Sequence, residues 1–483
     1  MDAQLNKKLS VILVYPNYKD DDPTFCPSLP VGLGYIAKSL QMIDKEYEIV
    51  DLNIDSIDYL FELIQSRNPE FLGISLMSYK CLKNYNLLAK IKVKFPNLTI
   101  IAGGPHITTN RDAVLEECAA IDIGVVGEGE YSMQELLLGN PFDQIKGILF
   151  RRNSQIVFTG TRDFIPDLDK LPHPTYEKFK LDQYGSSMIL NSSRGCPYHC
   201  IFCGGPKILG NKWRKRSAEC MFEELYYWYL KGYRKFNYSD SNFGLDKSRI
   251  SELCDKIIKR NLNISIIGEG LRADHFNDII LKKMWQAGFR WLFFGVESGS
   301  DKVLVNLKKG ESLEKIEDAI KNAVNIGFGV TLFFIIGSPS EDIDDIKKSF
   351  RLVKRYNIEG VYFFNLTPIP GTEYYNWVME KGFMNENFSK YPEEKFGFLD
   401  HALLPNDVLT KEQITHWIKK ARHLERQIRW RYQLQKFTYK LTKGKYTPYQ
   451  GQFTILSWFI AYPIVGKLVI SLKNVGSKYV ERF

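Results

Sequence analysis

The sequence predicts an α/β protein: a Rossmann-like doubly wound N-terminal domain, a partial (β/α)6 barrel and an α-helical C-terminal extension. Three observations predict it. Short apolar runs alternate with amphipathic stretches over residues 1–150, and a second series of the same kind occupies 186–384. Residues 385–483 lose that alternation and turn basic and helical. A length of 483 residues is enough for two or three domains with cores of their own. Apolar residues make up 44% and charged residues 25%, the balance of a globular chain and not of a disordered one.

The first series reads "LSVILVY", "YEIVDL", "FLGISLM", "LTIIAGG", "IDIGVVG" and "GILFRR", with helical spacing over 31–42, 55–66, 84–95 and 111–119. Continuous apolar strands separated by helices form parallel sheets covered on both faces. Ligands on such sheets sit beyond the carboxyl ends of the strands, which here read "VYPN", "SLMSY", "AGGPH" and "VGEGE". Gly32-x-Gly34-x-x-Ala37 has dinucleotide-like spacing. A loop containing Pro16, Pro23, Pro27 and Pro30 parts it from the first strand, so the tight turn of a nucleotide fingerprint is lacking. Residues 151–185, with "DFIPDLDKLPHPTY", read as a linker.

The second series starts at "SMILNSSRGC" and continues with "KFNYSDSNF", "ISIIGEGLR", "WLFFGVESG", "VTLFFIIGSP" and "VYFFNLTPIP", each followed by a helical pattern. Strand–helix units in this number suggest a partial barrel with its chemistry at the strand ends. Just after the first strand stands "SSRGCPYHCIFCGGP", which places Cys196, Cys200 and Cys203 in a C-x3-C-x2-C array. Thiolates suit zinc and iron–sulfur clusters. A structural zinc needs a fourth ligand, and His199 is crowded between two of the cysteines. A [4Fe–4S] cluster normally takes four cysteines, so three leave one iron open for a substrate or cofactor. The chain's eight cysteines are too few for a disulfide scaffold and favour a reducing, cytoplasmic setting. Cys26, Cys118, Cys220 and Cys254 have no partner at ligand spacing, while Cys81 lies at an expected ligand-facing strand end. The N-terminus has no signal-peptide pattern.

The cysteine array after the first strand of such a series, with Phe202 before the last cysteine, resembles the radical S-adenosylmethionine enzymes. The resemblance implies a [4Fe–4S] cluster on Cys196, Cys200 and Cys203. Its open iron would be chelated by S-adenosylmethionine, whose reductive cleavage gives a 5′-deoxyadenosyl radical. It also implies cofactor contacts from Gly204 and Gly205, from Asp240 and Asn242 to the methionine amino group, and from Arg272 to its carboxylate. Glu297 and Ser298 would meet the ribose or methionyl part, with "FIIGSP" and "LTPIPGT" near the adenine.

"PSLPVGLGYIAKSL", "IAGGPHIT" and "VGEGE", followed by this cysteine motif, resemble the cobalamin-binding branch of the same family. That resemblance implies cobalamin on the N-terminal domain. Gly103, Gly104, Gly127 and Glu128 would lie against it, Ser75, Ser78 and Thr108 would bond its polar edges, and "SLMSYKC" with Met77 would line its lower face. His106 is counted with the cofactor-facing residues but not as a cobalt ligand, since the D-x-H-x-x-G motif is absent. In this branch the commonest reaction is methylation of an unactivated carbon. The alternative is a non-methylating radical cyclisation, as in anaerobic magnesium-protoporphyrin ester cyclases, or a rearrangement. A binding protein with a merely structural cluster is the alternative from another class.

Net charge is +9, and residues 411–445, with eleven Lys/Arg against two Glu, account for it. A basic helix over 411–440 followed by the apolar stretch 453–472 gives two expectations: helices packed on the barrel, or a peripheral contact at the inner membrane face through 411–472. The expected partners are a small-molecule, peptide or lipid substrate and an external one-electron reductant such as flavodoxin or ferredoxin. Nucleic acid is not expected, because neither a second cluster-binding cysteine set nor a C-terminal β-barrel pattern is present.

Overall fold

The computed structural model describes residues 8–18, 26–384 and 399–441. Its first sheet holds β1 (Val11–Tyr15), β2 (Tyr47–Asp51), β3 (Phe71–Ser75), β4 (Thr99–Gly103), β5 (Ile123–Val125), β6 (Ile148–Arg152) and β7 (Gln155–Phe158), in the order 2-1-3-4-5-6-7. The strands up to β5 pair in parallel, and β5–β6 and β6–β7 are antiparallel. Successive side chains of a strand point to opposite faces. Val11 and Leu13 therefore join one apolar core and Ile12 and Val14 the other. Helices α1 (Val31–Met42) and α6 (Glu130–Leu137) cover the first face. The second is covered by α2 (Ile57–Arg67), α3 (Cys81–Lys94), α4 (Pro105–Asn110) and α5 (Asp112–Glu117). The sheet runs on to Phe158, eight residues past the expected end of the domain. Arg151 to Phe158 carry the hairpin, not linker.

Residues beyond the hairpin run back under α1. Tyr176 packs so closely that a Cβ on Gly34 would fall 2.4 Å from its ring. Gly34 thus serves the docking of the linker and not a nucleotide. The same apolar core continues through Tyr176 and Phe179 into the second domain.

The second sheet begins with β8 (Ser187–Leu190). A two-stranded ribbon, β9 (Ser193–Arg194) with β10 (Arg214–Lys215), brackets the cysteine loop. β11 (Lys235–Ser239), β12 (Ser265–Leu271), β13 (Phe289–Glu297), β14 (Gly329–Ile336) and β15 (Gly360–Asn365) complete an all-parallel sheet in the order 8-11-12-13-14-15. The helices are α7 (Gly205–Leu209), α8 (Ala218–Leu230), α9 (Lys247–Lys259), α10 (Asp278–Gln286), α11 (Asp301–Asn306), α12 (Leu313–Ile326), α13 (Ile343–Arg355) and α14 (Glu373–Glu380). Their starts are fixed by local chemistry. Ser217, Asp246, Asn277, Ser312 and Thr372 each accept a first-turn N–H, and Asp342 with Asp345 forms a capping box.

The last described element is α15 (Lys411–Leu441). It buries Ile414, Ile418, Ala421, Leu424 and Ile428, at helical spacing, against the barrel. It also closes an edge. Among the described residues β15 has no further strand beside it, and Glu425 accepts the Phe363 N–H at 2.7 Å while Arg422 donates to the Phe363 carbonyl at 2.8 Å. Side chains of a helix thus pair the backbone groups an edge strand would otherwise expose. The apolar stretch 453–472 lies outside the described residues.

Candidate active site

The cysteine loop leaves β8 at the carboxyl edge of the barrel. Asp240, at the end of β11, accepts the Ser192 N–H at 2.7 Å, the Ser193 hydroxyl at 2.8 Å and the Ser192 hydroxyl. Three of its acceptor sites pin the strand that leads to the cysteines, so the carboxylate that the sequence offers to an amino group is already engaged by the loop. At Gly195 the chain turns with φ +83, and a Cβ there would fall 2.4 Å from the Lys212 carbonyl, so only glycine fits.

None of the three cysteines is in a disulfide. Cys196 and Cys200 are half-buried and Cys203 is exposed at the loop's end. The Gly205 N–H donates to Cys203 Sγ at 3.4 Å and Asn242 Nδ2 lies 4.0 Å from Cys196 Sγ. Burial pushes the Cys200 thiol up to about 11. Such a sulfur holds its proton unless a metal supplies the missing positive charge. Among the described residues no three His, Cys, Asp or Glu side chains converge on one metal ion. A cubane cluster asks something else, one iron for each thiolate.

A buried charged shell backs this loop. Lys309 Nζ sits 3.1 Å from Glu297 Oε1 and 3.4 Å from Glu311 Oε2. Arg272 donates to the Lys309 carbonyl at 2.5 Å, to the Gly310 carbonyl at 3.2 Å and to both Asp274 oxygens. Its guanidinium stacks 3.5 Å from the Tyr198 ring centre, inside the cysteine loop, and Tyr198 is bonded to His275 Nε2 at 2.8 Å. These contacts correct two expectations. Arg272 does not present a free fork to a carboxylate, and the Glu297 carboxylate is held by Lys309. Ser298 is wholly buried, its hydroxyl accepting the Ser300 N–H at 3.2 Å, so it too faces inward. In "FIIGSP", Glu341 accepts the Gly337 and Ser338 N–H groups at 2.7 and 3.2 Å. The Oδ1 of Asn242 is buried and lacks a partner beside the loop.

The carboxyl edges of the two sheets face each other across a cavity of about 370 Å³. One wall is Gly32, Gly73, Ser75, Gly103, Gly104, Thr108, Gly127 and Glu128. The other is Asn191, Arg194, Ile208, Leu209, Ser239 and Ser241. A second lobe of about 310 Å³ shares Gly32, Ser75 and Asn191 and adds Tyr15, Met77 and Ile189. Gly104 has φ +94, with Leu76 and Ser75 too near for a side chain. Thr108 accepts the Gly127 N–H at 3.1 Å and so ties two cavity loops together. Ser78 and His106 are not in the cavity wall. They bond each other at 2.9 Å, His106 is also held by Tyr85 at 2.6 Å, and the ring is fully buried beneath α4. Of "SLMSYKC" only Ser75 and Met77 reach the cavity, and Cys81 is buried in the outer core. Glu128 lines the wall, but its carboxylate is spoken for by Arg194, Arg214 and the Ile165 N–H.

Residues 27–137 match the B12 binding domain and residues 190–353 match the Radical SAM superfamily. The chain is a radical S-adenosylmethionine protein with a B12-binding domain. It is 28% identical to an uncharacterised methyltransferase of Pyrococcus horikoshii, over 81% of this chain and 86% of that one. It is 27% identical to the anaerobic magnesium-protoporphyrin IX monomethyl ester cyclase of Synechocystis, over 68% of this chain and 66% of that one. The radical S-adenosylmethionine methyltransferase TsrM of Kitasatospora setae, solved with cobalamin and a [4Fe–4S] cluster, shares the fold. The TM-score is 0.68 at 18% identity, covering 80% of this chain and 78% of that one.

The two family matches point to a [4Fe–4S] cluster with S-adenosylmethionine on the second domain and to cobalamin on the first. The residues present fit all three. Cys196, Cys200 and Cys203 would hold the cluster, being three thiols on one short loop. The orphaned Asn242 Oδ1 would accept from the amino group of S-adenosylmethionine. Gly32 and Gly127 leave nothing within 4 Å of where a Cβ would stand, which gives a broad flat ligand room against bare backbone. Lys309, Tyr198 and Arg194 were not singled out from sequence. The run "NLKKG" offers two adjacent lysines, Lys308 exposed and Lys309 buried, and only folding separates them.

Proposed function

We propose that this protein is a cobalamin-dependent C-methyltransferase acting on an unactivated carbon. One observation carries the reading. The helix that follows the cysteines, through Ile208 and Leu209, and the glycine-rich edge of the B12-binding domain are opposite walls of a single cavity. When bound, the cluster with S-adenosylmethionine supplies hydrogen-atom abstraction and cobalamin supplies the methyl group. The chain's own part is to hold the two on facing strand ends and to exclude water. Among the described residues the lining of the second lobe has no carboxylate, ammonium, guanidinium or imidazole group, and its one phenol, Tyr15, is pushed up by burial and by Asp51. A lobe of this kind suits a carbon that is not activated by deprotonation.

The test is anaerobic purification with hydroxocobalamin, assay of iron, sulfide and cobalt, then incubation of the holoenzyme and a reductant with S-adenosylmethionine bearing a deuterated methyl group and small-molecule extract. Deuterated product about 14 mass units heavier than its precursor before counting the label supports methyl transfer. Turnover of S-adenosylmethionine with no label in any product sinks it in favour of cyclisation or rearrangement, the reading favoured by the resemblance to the Synechocystis cyclase.

The substrate class we propose is a small molecule, peptide or lipid, and the electron source an external flavodoxin or ferredoxin. No described helix is long and apolar enough to cross a membrane. We propose a peripheral contact instead. A groove of about 370 Å³ between α13 and α15 sets Lys347, Arg351, Lys354 and Lys420 around Phe350 and Trp417, with no carboxylate in its lining. The contact would be with anionic lipid, which attracts each such cation by about 1 kcal/mol. K354E/K420E is expected to weaken co-sedimentation with phosphatidylglycerol vesicles by about tenfold or more. Unchanged co-sedimentation would refute the contact.

A further inference from the structure

Both ends of the cysteine loop are tied to one carboxylate of the other domain. Arg194, on β9, stands one residue before the loop's first turn into Cys196. Its guanidinium donates to Glu128 Oε1 at 2.8 Å and to Glu130 Oε1 at 2.6 Å. Arg214, on the paired strand β10, donates to the two Glu128 oxygens at 2.8 and 2.9 Å, and to the carbonyl of Leu209 at 2.8 Å. Leu209 ends α7, the helix that leaves Cys203. Glu128 therefore holds the start of the loop through Arg194 and its exit through Arg214. Its neighbours Gly127 and Gly129 are backbone walls of the cavity. All four side chains are at most 13% exposed, and Tyr35 and Phe164 lie under the guanidiniums at 4.8 Å.

Two arginines and two glutamates make a buried quartet with no net charge. Such networks add little to stability, because desolvation offsets the attraction. What a forked guanidinium between fixed carboxylates does provide is geometry, since both oxygens and both nitrogens must be in place. We propose that Arg194, Arg214, Glu128 and Glu130 form a positioning clamp that sets the distance and orientation of the cluster loop relative to the cobalamin cavity. The clamp acts through the loop it holds. This inference rests on the two-cofactor reading above.

The test measures geometry and not turnover. In anaerobic holoenzyme reduced to the paramagnetic cluster with Co(II), the magnetic coupling between the two centres reports their separation and its spread. The native protein is expected to give one narrow coupling. E128Q, which keeps the shape but loses the charge, and R194K, which keeps the charge but loses the fork, are expected to load iron and cobalt normally. Their coupling should spread about twofold or more, with R194K nearer to native than R194M. E130Q, which removes one of the two partners of Arg194, should broaden it too, and decides the matter if E128Q does not fold. A native-width coupling in E128Q, or in E130Q where E128Q does not fold, overturns the clamp. Loss of cobalt with the cluster retained in those variants also overturns it, and makes the carboxylates cofactor contacts. Native protein that loads a cluster but no cobalt refutes the two-cofactor reading itself, which separates that failure from failure of the clamp.

Discussion

Replacing Cys200 with alanine is expected to abolish cleavage of S-adenosylmethionine while cobalt stays at native occupancy. Cys200 is the middle ligand of the three, and two thiolates cannot hold a cubane that already lacks its fourth protein ligand. It is also the sulfur whose thiol burial pushes to about 11, so its thiolate depends on the metal as the metal depends on it. Iron per chain should fall from about four to below about one. Formation of 5′-deoxyadenosine should fall at least about 10³-fold, equivalent to about 4 kcal/mol at the barrier. Cobalt is expected to persist, because no cysteine of the loop is in the cavity wall that the B12-binding domain supplies. The matched control is Cys254→Ala. That thiol is buried in the apolar core of α9, so its removal should leave iron unchanged and cost only packing. Native iron content in C200A would show that the loop is not the cluster site.

The second large effect is expected at Lys309. Its ammonium is the only positive charge drawn between Glu297 and Glu311 among the described ion pairs, and all three side chains are nearly inaccessible. Methionine fills the volume but strands two buried carboxylates. Breaking a buried pair by removing one partner costs about 3–5 kcal/mol. Burial already raises Glu311 above the usual carboxylate range, and Lys309 is the group that opposes it most. The damage should travel to the loop, since the Lys309 carbonyl accepts from Arg272 and Arg272 supports Tyr198. K309M is therefore expected to unfold at lower temperature and to lose iron faster on dilution into chelator. Adding Glu297→Gln should recover part of the loss, with a coupling of about 1 kcal/mol or more in the double-mutant cycle. Equal melting of K309M and native protein would mean the carboxylates are protonated or hydrated and the shell carries no structural charge.

Most of the fold was legible in the sequence because periodicity and capping are local. The α1 pattern over 31–42 coincides with the helix, and all six barrel strands overlap the runs that announced them, β13, β14 and β15 starting one or two residues earlier. β7 was not legible. "QIVF" is short and only half-buried, and it becomes a strand because β6 offers an antiparallel edge. The cysteine array was legible for a similar reason: ligands four and three residues apart on one loop need no distant partner to bring them together.

The roles of the charged residues were not legible. Asp240, Arg272, Glu297 and Glu128 all stand at strand ends where ligands are met, and strand position alone makes each look like a cofactor contact. Whether a buried carboxylate is free or consumed depends on which groups from other elements reach it. Ser192 reaches Asp240 from 48 residues away in sequence, and Arg194 reaches Glu128 from 66. His106 shows the same thing in reverse, a histidine next to the cavity loop whose ring the fold turns inward onto Ser78 and Tyr85. Two α/β domains, their order, the cysteine loop and a basic C-terminal helix can be read along the chain, since each is written in spacing within one segment. The tertiary structure alone decided that the two strand edges face each other, which polar groups remain unpaired there, and that the loop is clamped at both ends, because a buried charge takes its role from neighbours that only folding supplies.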